Sequence, residues 1–234
     1  KDAKDDAQFR QELPVPRGLI RLSELRNVGI AVFALQCIIT WFTFPHMLPI
    51  YLGVIAYLLL MGKEFFVKDW LKKHQFWYVT SHMLIIPFVD VYASGYDWYL
   101  DGAAAPFSLI FFFGVSFMNG IVLEVGRKIR APHDEKEGVQ TYSAMLGLKQ
   151  SILLWIAVLV GTLVFAFGAA YYAHFPFSVY LALSLYFVCT IVAAFSHLKH
   201  QTSKSAKRIE HASGIWAVLM YLTLGGFLKL IEWL

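Results

Sequence analysis

Apolar residues along this chain come in long unbroken stretches, not in the alternation of a half-buried strand or the narrow stripe of a soluble helix. Seven stretches approach or exceed the roughly 20 residues a helix needs to cross a bilayer. They lie at about 28–45, 47–62, 76–96, 105–126, 148–172, 175–196 and 212–234. The pattern predicts an all-α membrane protein, a bundle of seven transmembrane helices forming one polytopic domain over residues 1–234. The first two stretches are short and are parted only by Phe44-Pro45-His46, which predicts a tight helical hairpin. Small residues such as Gly161, Gly168, Ala169 and Ala170 recur within the stretches, as close helix packing in lipid requires.

Composition agrees with this reading. Apolar residues make up 58% of the chain and charged residues 15%, against roughly 45–50% and about 25% in a soluble domain. Cys37 and Cys189 both sit inside apolar stretches and are expected to pack there rather than pair. The charge is more informative than its net value of +4. Residues 1–27, 63–75, 127–149 and 197–211 carry 19 of the 20 Lys and Arg, and Lys229 is the remainder. The intervening turns carry none. Under the positive-inside rule the basic segments face the cytoplasm, so the two ends of the chain lie on opposite sides. The same distribution explains the positive charge as a topology signal and removes nucleic acid from the expected partners. The chain opens on Lys1 in a charged run with no apolar signal segment before it, so a processed terminus or a fragment is expected.

Polar chemistry gathers in the basic segments. Asp2 and Asp6 are four apart and share a face on a helix. A metal-bridging pair is one reading, and a solvated acidic helix end is the other. After the fourth stretch come Glu124, Arg127, Lys128, Arg130 and Asp134. Oxygen ligands suit magnesium, and Arg and Lys suit phosphate; mutual salt bridging is the plainer alternative. No phosphate-cradling glycine loop, zinc-ligand spacing or nucleophile-elbow motif is present. Asp90, inside the third stretch, is either an ion relay or a carboxyl hydrogen-bonded within the bundle.

Together the two acidic clusters resemble the two aspartate-rich motifs of the UbiA superfamily of intramembrane prenyltransferases. Asp2 and Asp6 match the last aspartates of the first motif, and Leu13-Pro14-Val15-Pro16-Arg17-Gly18 resembles the stretch that follows it. Asp134, Gly138, Thr141 and Leu146-Gly147 match the end of the second motif, with Glu124 in place of its first acid. Lys63-Glu64, following Tyr57, resembles the family's central cytoplasmic segment. The second motif departs from the pattern by opening on Glu and by running about one turn longer.

The resemblance implies that the seven stretches are helices 3–9 of a nine-helix fold, in a chain lacking the first two helices. It also implies a multi-pass protein with its active face cytoplasmic, in the bacterial inner membrane. The implied activity is magnesium-dependent transfer of a prenyl group from a prenyl diphosphate to an aromatic or other lipid-soluble acceptor. Asp2, Asp6, Glu124 and Asp134 would then bind Mg2+, and Lys63, Arg127, Lys128 and Arg130 would contact the diphosphate. Tyr57, Trp77, Tyr78, Phe113, Phe117 and Tyr142 are candidate linings for the allyl cation, and Gly126, Pro132 and Gly138 are candidate hinges of a closing loop. Two other readings stand beside this one: a UbiA-like protein that has lost transfer, and a polytopic transporter using Asp90.

Overall fold

In a computed structural model the described residues are 7–8, 11–136 and 139–226. Asp2, Asp6 and Gly138 therefore lie outside them. The described residues form helices and turns with no strand. The helices are α1 (Leu22–Thr43), α2 (Leu48–Gly62), α3 (Lys68–Lys73), α4 (Gln75–Met83), α5 (Ile85–Trp98), α6 (Ser108–Arg127), α7 (Tyr142–Leu146), α8 (Leu148–Tyr172), α9 (Phe177–His200) and α10 (Ser203–Gly225).

Among the described residues, five helical segments are long and apolar enough to cross a membrane: α1, Pro45–Gly62, α6, α8 and α9. Their surfaces fit that role. In α1 only Thr40 is buried, while Val28, Ile30, Leu35, Ile38 and Phe42 are exposed. Apolar side chains displayed in this way need lipid around them.

The other two expected spans take different forms. The third is interrupted at Leu84 between α4 and α5. The cause is Pro87, which has no amide proton to give to the Met83 carbonyl and whose ring crowds it. Bonds from the Leu84 amide to the Thr80 carbonyl (3.2 Å) and from the Phe88 amide to the Leu84 carbonyl (3.3 Å) carry the helical path across the break. The last stretch, as far as Gly225, belongs to α10, which starts at Ser203 and includes Lys204, Lys207, Arg208 and Glu210 ahead of its apolar part. The expected cytoplasmic loop at 197–211 is thus the facing ends of two helices, joined through Gln201 and Thr202. Gln201 turns the chain at φ 47°, and the Thr202 hydroxyl caps α10 by accepting the Ser205 amide at 3.2 Å.

The chain divides into two compact units. The first comprises Lys1–His74 and Tyr92–Ala103. The hairpin expected around Pro45 forms here, with Pro45–Met47 making one tight turn between α1 and α2. Met47 is fully buried, and its methyl group packs so closely on Gly95 that a Cβ there would lie 3.0 Å from it. Hydroxyls bridge α1 and α5, where Thr40 reaches Tyr92 at 3.3 Å, and Tyr92 pairs along its own helix with Tyr96, the two oxygens 2.6 Å apart.

The second unit comprises Gln75–Val91 and Ala104–Leu234. Its center is the packing of α6 on α8, fixed by a reciprocal device. Phe165 of α8 lies over Gly114 of α6, and Phe111 of α6 lies over Gly168 of α8, so a methyl group at either glycine would overlap the opposite ring. Gly126 packs in the same manner against Ser213 and Trp155. It is buried within α6 and holds helices together, which replaces its expected role as a loop hinge. The core above it includes Ile152, Trp155, Leu159, Ile209 and Trp216, all fully buried. The buried Trp155 indole donates to the Ser213 hydroxyl at 3.0 Å, so its N–H is not left unpaired in an apolar core.

Candidate anion-binding rim

The C-terminal end of α6 brings together three residues singled out in the sequence. Glu124 is 5% exposed. Helical spacing sets Arg127 and Lys128 one turn further along, within reach of its carboxylate. Arg127 Nε donates to Glu124 Oε2 at 2.7 Å, its terminal nitrogen contacts the same oxygen, and Lys128 Nζ pairs with Oε1 at 2.6 Å. A buried carboxylate needs such partners, because leaving it unpaired costs several kcal/mol. The two cations are not used up by the pairing. The Arg127 side chain is 59% exposed and that of Lys128 26%, so both present positive charge to the outside while Glu124 fixes their positions.

The segment that follows is tied into a closed loop. The Tyr142 amide donates to the Lys128 carbonyl at 3.0 Å, and the Arg130 amide donates to the Ser143 hydroxyl at 2.8 Å. Glu135 accepts from the Thr141 and Ser143 hydroxyls, each at 2.6 Å. Thr141 in turn caps α7, its Oγ1 accepting the Ala144 amide at 3.1 Å. These bonds hold the neck of the loop, with the Arg130 side chain half-buried beside it. His133 connects the loop tip to the start of α10 through the Ser203 hydroxyl at 2.9 Å. The Tyr142 ring is buried and its hydroxyl accepts a long bond from Gln75 at 3.5 Å. Burial pushes its pKa above the usual value near 10, with the Gln75 bond opposing and the Glu124 charge adding.

Of the residues expected at the site, Glu124, Arg127, Lys128 and Arg130 gather on this rim, and Asp134 lies on the same loop. Asp134 is half-exposed, with His133 Nε2 3.7 Å from its carboxylate. Lys63 belongs to the first unit, where it follows the last turn of α2 and is exposed. Tyr57 also lies in the first unit, edge-on to Phe65 at 5.4 Å. Trp77 is 52% exposed and faces outward, whereas Tyr78 stacks on His82 at 4.2 Å. Glu135, Ser143 and Gln75 were not assigned a role from sequence. The signal available for the first two was a carboxylate followed within eight residues by two hydroxyls, a pattern that only the turn geometry makes specific.

Two of the four expected magnesium ligands, Asp2 and Asp6, lie outside the described residues. No three His, Cys, Asp or Glu side chains among them come together at metal-binding spacing. Glu124 has both oxygens committed to cations and Glu135 has both committed to hydroxyls, which leaves Asp134 as the one carboxylate open to a new partner among the described residues of the rim. No family model matches the chain, and neither a curated protein nor a solved structure matches it.

Proposed function

We propose that this protein is a membrane prenyltransferase that binds a prenyl diphosphate with its head on the rim and its hydrocarbon tail among the helices of the second unit. The observation that supports this reading is the Glu124–Arg127–Lys128 cluster. It is a buried anion that orients two outward-facing cations at the end of an apolar helix. Arg presents paired donors to phosphate oxygens, and Lys adds a mobile point charge. Arg130 supplies a third positive group on the pinned loop. In the full reading all seven stretches span the membrane, with the rim on the cytoplasmic side.

The chemistry asked of these residues is electrostatic. As the allylic C–O bond breaks, the bonding pair leaves with the diphosphate, and the rim cations stabilize the charge that develops there. The acceptor then forms a bond to the freed carbon and releases a proton. Apolar surroundings keep water from capturing the cation. A second reading, binding without transfer, is favored by the complete pairing of Glu124, which leaves Asp134 as the one open carboxylate among the described residues of the rim.

The test is release of diphosphate from geranyl, farnesyl or geranylgeranyl diphosphate by purified protein in nanodiscs, with and without magnesium, across a broad acceptor panel. Transfer is the expected result, with Asp134→Ala reducing it at least tenfold while folding is retained. Binding of the diphosphates without turnover under any condition establishes the second reading instead.

A further inference from the structure

A second polar group of the same unit lies within the apolar part of the bundle. Ser116 of α6 is fully buried, and Asn119, one turn along the same helix, is 1% exposed. Neither the amide nitrogen nor the amide oxygen of Asn119 has a hydrogen-bond partner among the described residues. One carboxylate oxygen of Asp90, from α5, is likewise buried without a geometrically well-formed bond, as is the Ser116 hydroxyl. Ser116 nevertheless stands next to both the Asp90 carboxyl and the Tyr221 hydroxyl of α10. Ser116 thus links polar side chains of three helices, while both amide atoms of Asn119 stay without a partner among the described residues.

Each unsatisfied buried polar group costs about 1–3 kcal/mol, and in a bundle no surrounding lipid can supply the missing bonds. The chemistry of the missing partner can be read from the groups that lack it. The Asn119 amide needs an acceptor for its N–H groups and a donor for its oxygen, and the Asp90 oxygen needs a donor. A bare cation would leave the amide N–H groups unpaired. A hydroxyl both donates and accepts. The surroundings suit an aromatic ring, because Phe112, one turn before Ser116, meets Tyr221 edge-on at 5.9 Å. Phe88 and Val89, the two residues before Asp90 in α5, are 40% and 46% exposed, so neighboring faces of this helix look toward lipid.

We propose that Asp90, Ser116, Asn119 and Tyr221 form an intramembrane binding site for the hydroxyl of a lipid-soluble aromatic alcohol. Its identification as the acceptor rests on the transferase reading; the binding does not. The probes are 1-naphthol and 1-methoxynaphthalene, which differ in whether the oxygen can donate. Affinities are measured by quenching of protein fluorescence in nanodiscs, each corrected for partition into protein-free discs. The wild-type chain should bind the naphthol at least tenfold more tightly than the ether. That preference should fall to less than threefold in Asn119→Leu and in Ser116→Ala. Equal corrected affinities in the wild-type protein would overturn the proposal, as would an unchanged preference in both folded variants. The wild-type comparison needs no substitution, so a variant that fails to fold does not remove the test. Farnesyl diphosphate binding is measured in parallel. Naphthol preference without diphosphate binding would keep this site and discard the transferase reading, and the opposite pair of results would do the reverse.

Discussion

Glu124 and Asp90 are two carboxylates of the same helical unit, and they are held in contrasting ways. Glu124, at the end of α6, is almost completely buried and fully compensated by Arg127 and Lys128. Asp90 keeps a buried oxygen without a well-formed bond, beside a serine and near an asparagine in the same condition. The first arrangement satisfies its own needs and displays charge outward, as a platform for an anion does. The second leaves its needs open and points to something that arrives from outside the chain. A compensated group contributes to stability, whereas an open one carries an energetic cost that ligand binding can offset.

The contrast has measurable consequences. Removing the Glu124 carboxylate should have the largest effect, since it leaves two neighboring cations facing each other with no counter-charge. Glu124→Ala is expected to lower stability by about 2–3 kcal/mol, below the full value for a buried pair because Arg127 is largely solvated. Thermal unfolding in one detergent checks this; a loss near zero would show that the pairing contributes nothing. Asn119→Leu should move stability the other way, raising it by up to about 1 kcal/mol in the ligand-free protein. It exchanges an unsatisfied amide for an apolar group of similar size. A drop as large as that of Glu124→Ala would mean that Asn119 is already well bonded, which would erase the contrast.

The smallest effect is in alkaline solution. Burial raises the Tyr142 pKa in the folded state above the usual value near 10. The unfolded chain therefore loses this proton first. The Tyr142 contribution is fully present below the unfolded value and declines as pH rises through it toward the folded value. Unfolding midpoints followed from about pH 9 to about pH 11 should fall more steeply for the wild-type chain than for Tyr142→Phe. Parallel curves would show that the ring is not buried in solution.

Much of the helical layout was legible as hydropathy. The hairpin at Pro45 could be read from two apolar stretches and the proline between them, and the close approach of α8 from its glycines. The break at Leu84 was also encoded, in Pro87, but a run of apolar residues masks a break whose only sign is one missing amide proton. The start of α10 escaped for the opposite reason. Its first two turns are charged, so hydropathy reads a loop where Thr202 caps a helix. At the rim, spacing along one helix was enough to place Glu124, Arg127 and Lys128 together. The pinning by Glu135 depends on how the chain returns at Thr141 and Ser143, and no periodicity carries that. The convergence of Asp90, Ser116 and Tyr221 comes from three separate helices and could be seen only after they had packed.

In the proposed function the rim recognizes the head of a prenyl diphosphate. Affinities for farnesyl diphosphate and farnesol, measured side by side on the protein in nanodiscs, test it most directly. The wild-type protein should prefer the diphosphate at least a hundredfold after correction for partition. Arg127→Gln and Arg130→Gln should each weaken diphosphate binding about tenfold, equivalent to about 1.4 kcal/mol, while leaving farnesol binding unchanged. Equal affinity for the two ligands, or diphosphate binding indifferent to both arginines, would contradict the account.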